Sequence, residues 1–231
     1  RTALYVHHAE GIEQVGDDGS RTLFAEFAAR RYSALATDEG VLVATPQELG
    51  RRQPLTLLAP GPTYLPLALQ FAGVESLTQG EAIFAALRSG EIVSVGANGL
   101  EAYAKLAAGT LFLAAGNEGV LYALHREARA LWSLRDLDGD GEASGSLEVV
   151  HLNFIDGEAA ALSWVDGTLY VGAVDGRVWR VRGRELELFA EGFAPTLLGL
   201  SAGPAGGVYV LVGDARGGRL VPLRPPVPKI G

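Results

Sequence analysis

Short apolar runs alternate with glycine-bearing turns along most of the chain, most clearly between positions 164 and 200. Three runs of strand length at 168–172, 177–182 and 185–190 are rich in Val, Leu, Tyr, Trp and Phe, which favour β-strands. Asp175-Gly176 separates the first two runs, and this dipeptide is a strong signal for a tight hairpin turn. The stretch therefore predicts an antiparallel meander with a fourth strand that starts near Thr196.

The same pattern recurs near the N-terminus at one constant offset. The matching positions are Leu4, Tyr5, Val6, Leu23, Phe24, Glu26 and Leu35 against Leu169, Tyr170, Val171, Leu188, Phe189, Glu191 and Leu200. Another copy of the hairpin lies at 110–124, and weaker copies lie at 40–44, 83–93 and 208–221. Repeats of four strands in roughly 40–50 residues are typical of propeller blades.

The hairpins predict an all-β fold, a single β-propeller domain over residues 1–231 with six blades. The anchors of the six units are Tyr5, Leu42, Ile83, Phe112, Tyr170 and Tyr209. The third and fourth anchors are close together, which suggests that a blade there has lost a strand. A five-bladed ring and an open piece of a larger protein are alternatives.

The two ends of the pattern bear on how a ring would close. The first unit begins with the strand equivalent to 168–172, so it lacks the preceding strand, and we expect C-terminal residues to supply it. However, Pro222, Pro225, Pro226 and Pro228 make 222–231 a proline-rich tail that cannot donate a full ladder of hydrogen bonds.

Helix competes with strand in one segment. Phe24, Phe27, Ala28, Tyr32 and Leu35 also fit helical spacing. The constant-offset match to 188–200, where Gly192 and Pro195 would interrupt a helix, favours strands.

Composition narrows the class of protein. The chain is 48% hydrophobic and 20% charged, which is typical of a folded globular protein, and its net charge of −8 argues against a nucleic-acid partner. It has no cysteine, so disulfides, thiolate metal sites and cysteine nucleophiles are excluded. The most apolar stretch, 57–74, contains Pro60, Pro62 and Pro66, so we expect no membrane span. The absence of methionine, also at position 1, favours a chain that follows a removed segment, and an excised signal peptide would make the protein exported or periplasmic.

An acidic insertion at 134–148 is the sharpest chemical feature. Asp136, Asp138 and Asp140 alternate, Gly141 follows, and the carbonyl of Glu142 and the side chain of Ser144 stand where an oxygen-ligand loop would need them. We predict a structural Ca²⁺ bound by these five residues. The loop departs from the EF-hand pattern, because Leu147 replaces the bidentate glutamate and Glu148 falls one residue late. The alternative is a solvated loop whose Asp and Gly residues only form turns.

The remaining polar residues predict no catalytic centre. His7, His8, His125 and His151 carry no second ligand at metal spacing, and we expect exposed, capped or partly buried imidazoles. Trp132, Trp164 and Trp179 are interpreted as packing between sheets. Asp166, Asp175 and Asp214 are assigned to turns, and no GxSxG, HExxH or Walker motif is present.

The hairpins at 167–181 and 109–124 resemble blades of quinoprotein-type and NHL-like β-propellers, and 134–141 resembles an acidic loop of propellers similar to glucose and sorbosone dehydrogenases. Blade motifs indicate architecture and not function. Our first hypothesis is a non-enzymatic propeller that presents a rigid face to a protein or a small ligand. The alternative that the resemblance implies is an enzyme similar to sugar dehydrogenases or lactonases, which would need a base histidine with an arginine and a carboxylate within hydrogen-bond reach.

Overall fold

The structure, a computed structural model, describes most of the chain. The described residues are 4–8, 11–15, 20–26, 33–37, 40–44, 53–58, 64–71, 73–96, 99–151, 158–193, 196–202, 207–214 and 217–223. In these ranges every regular element is a β-strand, so the all-β prediction is confirmed. In the same ranges there is no helix of the length and hydropathy needed to cross a membrane.

The chain divides into two compact units. The first comprises Arg1–Leu113 and Asp136–Ser144, and the second comprises Ala114–Arg135 and Gly145–Gly231. The single-domain assignment therefore stays a prediction.

The first unit contains three antiparallel sheets whose strands follow one another in chain order. One sheet is formed by β1 (Leu4–His8), β2 (Gly11–Val15) and β3 (Arg21–Glu26). The next is formed by β4 (Ser33–Thr37), β5 (Gly40–Ala44), β6 (Gln53–Leu58) and β7 (Tyr64–Phe71). The third is formed by β8 (Val74–Gln79), β9 (Ile83–Leu87), β10 (Glu91–Gly96) and β11 (Gly99–Lys105).

The remaining strands form three further sheets with the same order of neighbours. One is formed by β12 (Leu111–Ala115), β13 (Leu121–His125), β14 (Ala130–Leu134) and β15 (Ser146–His151). The next is formed by β16 (Ala159–Val165), β17 (Thr168–Ala173), β18 (Val178–Arg182) and β19 (Glu185–Ala190). The last is formed by β20 (Leu197–Ala202), β21 (Val208–Asp214) and β22 (Gly217–Leu223).

A β-bulge recurs where a third strand meets its fourth strand. The register skips Phe24 on β3, Tyr103 on β11, Val149 on β15 and Phe189 on β19. A bulge bends its strand and re-aims the extra side chain. In two sheets that side chain is an aromatic ring in contact with an aromatic ring of the second strand. The centroids are 4.7 Å apart for Phe84 and Tyr103 and 5.1 Å apart for Tyr170 and Phe189.

A second bulge recurs at the start of the first strand. The register with the second strand skips Glu75 on β8, Ala160 on β16 and Leu198 on β20. In each of these three sheets, one backbone hydrogen bond accompanies the bulge. The donor is an N–H near or just after the end of the second strand, and the acceptor is the carbonyl of the residue directly before the first strand. The three bonds are Arg88 to Gly73 at 2.8 Å, Val174 to Glu158 at 2.9 Å and Gly213 to Thr196 at 3.0 Å. The repeat is therefore built into the backbone register as well as the sequence.

The bulges identify which strands the three-stranded sheets lack. Because β2 and β3 share the bulge of third and fourth strands, β1 is a second strand. The described part of the first sheet thus lacks a first strand, as the sequence predicted. By the same reasoning β20 is a first strand, so the described part of the last sheet lacks a fourth. Residues 224–231, expected to complete the first unit, lie outside the described residues.

The expectation of a lost strand between the third and fourth anchors is wrong. The sheet of β8 to β11 has four strands, and so has the sheet of β12 to β15. The uneven spacing arose because Phe112 lies on a first strand, whereas Ile83 and Tyr170 lie on second strands. Tyr122 on β13 is the true counterpart of Tyr170.

The competition between helix and strand is settled where the structure describes the segment. Arg21–Glu26 and Ser33–Thr37 are strands, as the offset match predicted. Phe27, Ala28 and Tyr32 lie outside the described residues.

Apolar side chains form a buried cluster in each unit. In the second unit a cluster joins strands β16 to β22 through Ala161, Val178, Leu197 and Val210, each of them buried. In the first unit Val74, Leu77 and Ala85 form the centre of a cluster that also includes Leu100. In the second unit Gly172 allows Leu197 to approach β17 closely, because a Cβ at position 172 would lie 2.6 Å from a methyl group of Leu197.

Gly176, in the turn that connects β17 with β18, combines a positive φ of 85° with a close backbone approach. A Cβ at this position would lie 2.5 Å from the carbonyl oxygen of Phe193, and the Gly176 carbonyl accepts a hydrogen bond from the Phe193 N–H at 3.2 Å. Gly167, in the turn of β16 and β17, has a similar φ of 78° but nothing within 4 Å of such a Cβ.

These two glycines form a matched pair for a stability test. Gly167→Ala adds only the backbone cost of a left-handed conformation, about 1–2 kcal/mol. Gly176→Ala adds that cost and a steric clash with the backbone, so we expect it to lower the free energy of unfolding by about 1–3 kcal/mol more. Chemical denaturation of the two variants measures the difference. Equal losses would show that the approach of Phe193 does not constrain the turn.

Candidate functional site

The acidic loop lies in the connection from β14 to β15, and its own main chain orients Asp136. One oxygen of the Asp136 carboxylate accepts the Gly139 N–H at 2.7 Å, and the other accepts the Gly141 N–H at 2.9 Å. Gly139 and Gly141 have φ values of 78° and 90°, a conformation that glycine adopts without steric cost. The alternation of Asp and Gly in the sequence therefore wraps the backbone around one carboxylate.

The other polar groups of the loop are held in the same way. Asp140 accepts the Glu142 N–H at 2.8 Å. The Ser144 hydroxyl donates to Asp138 at 3.0 Å and accepts the Leu137 N–H at 2.8 Å. The Ala143 N–H donates to the Tyr103 carbonyl of β11 at 2.7 Å, which anchors the loop to a strand of the first unit.

Three carboxylates converge in this loop. One oxygen each of Asp136, Asp138 and Asp140 lies within 4.8 Å of the others, and no other such group of His, Asp and Glu occurs among the residues that the structure describes. Asp136 is partly buried, and the other two are exposed. Three negative charges at this distance repel one another unless water or a cation screens them, so the loop is suited to a hard cation.

The hydrogen bonds also shift the acidity of the loop. The Gly141 N–H, and after it the Gly139 N–H, lower the pKa of the Asp136 carboxyl below its ordinary value, because both bonds stabilise the charged form. Asp136 is therefore a fixed anion at neutral pH.

The structure brings together four of the five predicted ligands and leaves one undecided. Asp136, Asp138, Asp140 and Ser144 share the hydrogen-bonded loop. Glu142 contributes its main-chain N–H to the network, whereas the predicted role used its carbonyl. Leu147 and Glu148 lie on β15, where their backbones pair with Ser133 and Trp132. The metal set as a whole stays a prediction.

His125 is the one polar side chain that is fully buried in the described part of the chain, with 3% exposure. It ends β13, directly before the turn to β14. The equivalent residues in other sheets are Leu87, Ala173 and Val212, which are aliphatic. No sequence signal marked this burial, because His125 follows an apolar strand and precedes a charged turn.

The hydrogen bonds of His125 determine its tautomer. Its Nδ1 accepts the Ala128 N–H at 3.1 Å, so the ring proton of the neutral form resides on Nε2. Glu127 has a carboxylate oxygen 3.4 Å from the same Nδ1, but that nitrogen cannot donate to it while accepting from Ala128. Nε2 is buried and has no partner among the described residues. Nδ1 is therefore engaged by the main chain of the turn between β13 and β14.

The arginine next to His125 is engaged with a neighbouring sheet. The Arg126 guanidinium donates to the Ala159 carbonyl at 2.9 Å and so links β13 to β16. The side chains of His7, His8 and His151 lie outside the part that the structure describes.

Two residues assigned to packing or turns have specific contacts. Trp164 stacks on Tyr122 with ring centroids 5.4 Å apart, between β16 and β13. Burial raises the pKa of Tyr122 above its ordinary value. The Asp166 carboxylate accepts the Gly207 N–H at 3.1 Å, across 41 positions of the chain. The sequence gave no indication of this long-range bond.

The bulge residues of the first strands are chemically unlike one another. Leu198 is 48% exposed, and Ala160 is half-buried. Glu75 forms an ion pair with Arg88 at 3.9 Å. In the second unit this position is thus apolar.

Comparisons with known proteins support the fold alone. No protein-family model matches the chain, and no curated protein matches it. Solved structures do. A putative gluconolactonase has a TM-score of 0.69 at 15% identity, over 92% of this chain and 82% of that one. Regucalcin from Agrobacterium tumefaciens, a calcium-binding protein, has a TM-score of 0.66 at 14% identity, over 90% and 76%. A chain of a nidogen–laminin complex has a TM-score of 0.70 at 13% identity, over 96% and 89%.

These structural neighbours are β-propeller proteins, so the predicted β-propeller fold is confirmed. The neighbours include enzymes and binding proteins, and identities this low do not separate the two classes. The number of blades stays a prediction.

The tautomer of His125 can be tested by long-range ¹H–¹⁵N NMR. We expect the neutral form of the ring to show the pattern of protonation at Nε2, since Nδ1 accepts the Ala128 N–H. A ring protonated at Nδ1 would contradict the assignment and restore the pairing with Glu127.

The acidity of Asp136 can be tested by following its carboxyl carbon during an acid titration. Because the folded pKa is lowered, the loop gains stability from the anion above the unfolded pKa and loses it as the pH falls through the folded pKa. We expect a lower titration midpoint in the folded protein than in the urea-unfolded protein. Equal midpoints would show that the Gly139 and Gly141 N–H groups do not hold the carboxylate.

Proposed function

We propose that this chain is a non-enzymatic β-propeller that presents a rigid surface to a protein or small ligand, and that residues 136–144 bind Ca²⁺ as a structural ion. The observation that carries the calcium proposal is the orientation of Asp136. Two main-chain N–H groups hold its carboxylate beside those of Asp138 and Asp140. A cation would meet a partly organised set of oxygens.

The donor set favours calcium over softer ions. All candidate ligands are oxygens, which suit Ca²⁺, whereas Zn²⁺ and Cu²⁺ prefer nitrogen or sulfur. Mg²⁺ demands strict octahedral geometry at short distances, and an exposed, glycine-rich loop is a poor match for that demand. Leu147 stands where a bidentate glutamate would strengthen the site, so we expect a dissociation constant of about 10⁻⁴–10⁻³ M.

A dissociation constant in this range would support an exported protein. Sites of about 10⁻⁴–10⁻³ M are typical of extracellular modules, where free calcium is high enough to fill them. A cytosolic location would leave such a loop empty for most of the time.

A structural role is supported by the chemistry of the same loop. A general acid or base works best with a pKa near the operating pH. Asp136 is shifted away from that range, and both of its oxygens already accept main-chain hydrogen bonds. The loop is anchored to β11 through Ala143 and Tyr103, so an ion there would stabilise the connection between β14 and β15.

The binding surface is supported by apolar residues that the second unit exposes. Leu198 lies at the bulge of β20, Val174 follows β17, and Leu188 lies on β19; each is at least 37% exposed. Exposed apolar side chains are common at sites of association when they form a contiguous patch. We propose that Leu198 and Val174 contribute to the surface that contacts the ligand.

Calcium binding is tested by calorimetry and thermal unfolding after treatment with a chelator. We expect Ca²⁺ to raise the melting temperature, with a gain of about 2.7 kcal/mol when free calcium is 100 times its dissociation constant. Asp136→Asn and Asp138→Asn should each abolish most of the shift. Glu185→Gln removes the same charge from exposed β19 and should leave the shift intact.

Two outcomes would contradict the proposal. An unchanged melting temperature at about 100 mM Ca²⁺, which is 100 times the weakest dissociation constant expected, would leave the solvated-loop interpretation. Turnover of lactones, or dye reduction with a sugar and pyrroloquinoline quinone, would contradict the non-enzymatic assignment if it disappeared in Asp136→Asn or in a variant of His125.

A further inference from the structure

Several Asp-Gly pairs of the chain differ in how the structure holds the glycine nitrogen. An aspartate before glycine can lose water when that nitrogen attacks its carboxyl carbon, because glycine has no side chain to shield the nitrogen. The pairs within the described residues are Asp138-Gly139, Asp140-Gly141, Asp166-Gly167 and Asp175-Gly176. Three further residues that precede glycine lie outside the described residues, namely Asp18, Asn98 and Asp156.

In three of the described pairs a hydrogen bond occupies the glycine N–H. Gly139 and Gly141 donate to the two oxygens of Asp136 at 2.7 Å and 2.9 Å. Gly176 donates to the Ala173 carbonyl at 3.0 Å. The nitrogen has to lose its proton and turn toward the preceding carboxyl before it attacks, so each of these bonds has to break first.

The fourth pair, Asp166-Gly167, forms the exposed hairpin turn between β16 and β17. The φ values of 48° at Asp166 and 78° at Gly167 match a type I′ turn, which Val165 and Thr168 close by pairing across the hairpin. Such a turn uses neither of its central N–H groups. The Gly167 N–H donates to none of the residues that the structure describes, and nothing lies within 4 Å of a Cβ at this position.

We propose that Asp166 is a site of spontaneous isomerisation to isoaspartate, and that the product releases a bond between neighbouring sheets. The Gly167 nitrogen bonds to the carboxyl carbon of Asp166. Its proton, the carboxyl proton and one carboxyl oxygen leave together as water, and a five-membered succinimide remains. Water then opens this ring at the former side-chain carbonyl, which restores aspartate, or at the main-chain carbonyl, which gives isoaspartate. No oxidant or reductant takes part.

The product changes a contact that the structure shows. The Asp166 carboxylate accepts the Gly207 N–H, directly before β21, at 3.1 Å. In isoaspartate that carboxyl carbon becomes part of the main chain, and the new carboxylate sits directly on the α-carbon. The hairpin also gains one main-chain atom. Gly207 therefore loses its acceptor, and the tie between the turn of β16 and β17 and the start of β21 is released.

Asp175 is protected by its own carboxylate as well as by the Gly176 hydrogen bond. Arg177 donates to it through Nε at 2.8 Å, and this interaction lowers the pKa of the Asp175 carboxyl below its ordinary value. A carboxyl group releases water readily only when it is protonated. The reactive form of Asp175 is therefore rarer than that of an ordinary aspartate.

Peptide mapping of the folded chain during incubation at neutral pH tests the proposal. A chelator keeps cations out of the acidic loop, and electron-transfer fragmentation distinguishes isoaspartate from aspartate. Each rate is divided by the rate in the isolated peptide, which removes the effect of the neighbouring sequence. We expect this ratio at Asp166 to exceed that at Asp175 by about fivefold and those at Asp138 and Asp140 by about tenfold or more. A ratio at Asp166 no higher than at the other three would overturn the proposal.

Asp136→Ala is the matched variant, because it removes the acceptor of Gly139 and Gly141 and leaves the hairpin of Asp166 unchanged. Isomerisation at Asp138 and Asp140 should rise by about tenfold, while Asp166 keeps its rate. Unchanged rates at Asp138 and Asp140 would show that a bound glycine N–H gives no protection, and would overturn the proposal.

Hydrogen exchange at Gly207 tests the consequence. In protein enriched in isoaspartate at position 166, the Gly207 amide should exchange about tenfold faster than in fresh protein, whereas the amide of Val210, buried in β21, should keep its rate. Asp166→Ala should form no isoaspartate there and show the fast exchange from the start. If that variant does not fold, the aged unaltered chain still gives the comparison. Equal exchange at Gly207 in fresh and isomerised protein would overturn the proposal.

Discussion

Two of the described sheets are each held together by an aromatic contact that a bulge creates within the sheet. In the sheets of β8 to β11 and β16 to β19, one extra residue in the fourth strand turns an aromatic ring toward an aromatic ring of the second strand. The contact buries Tyr103 and Tyr170 across the intervening strand. A sheet curved in this way has one well-packed core and two faces that still need cover, which is why the unit is repeated.

The repeated backbone hydrogen bond at the start of the first strand fixes where that strand begins relative to the second strand. Each sheet has to begin its first strand beside the end of its second, and the bonds of Gly73, Glu158 and Thr196 fix that point. The extra residue next to it is released from the ladder and is free to vary. Glu75, Ala160 and Leu198 show that variation, so the framework stays constant while the chemistry of one position changes from sheet to sheet.

The two polar centres of the chain illustrate different uses of hydrogen bonds. In the acidic loop, main-chain donors stabilise charge on Asp136 and leave neighbouring oxygens able to meet a cation. At His125, a main-chain donor occupies the nitrogen that a neighbouring carboxylate would otherwise engage. The first arrangement fixes an anion in an exposed loop, and the second engages one nitrogen of a buried ring.

The sequence by itself determined the strands, the tight turns and the repeat, because these follow from local alternation of apolar residues and from the conformational freedom of glycine. It matched Phe24 to Phe189 without revealing that both occupy a bulge. It misplaced one unit at Phe112, since first and second strands have the same local pattern and differ only in their neighbours. It also found the acidic loop, whose geometry is made by residues close together in the chain.

Only the tertiary structure decided where the bulges lie, that His125 is buried, and that Asp166 reaches Gly207. These features depend on groups far apart in sequence. Their energies come from desolvation and from contacts that no local window contains.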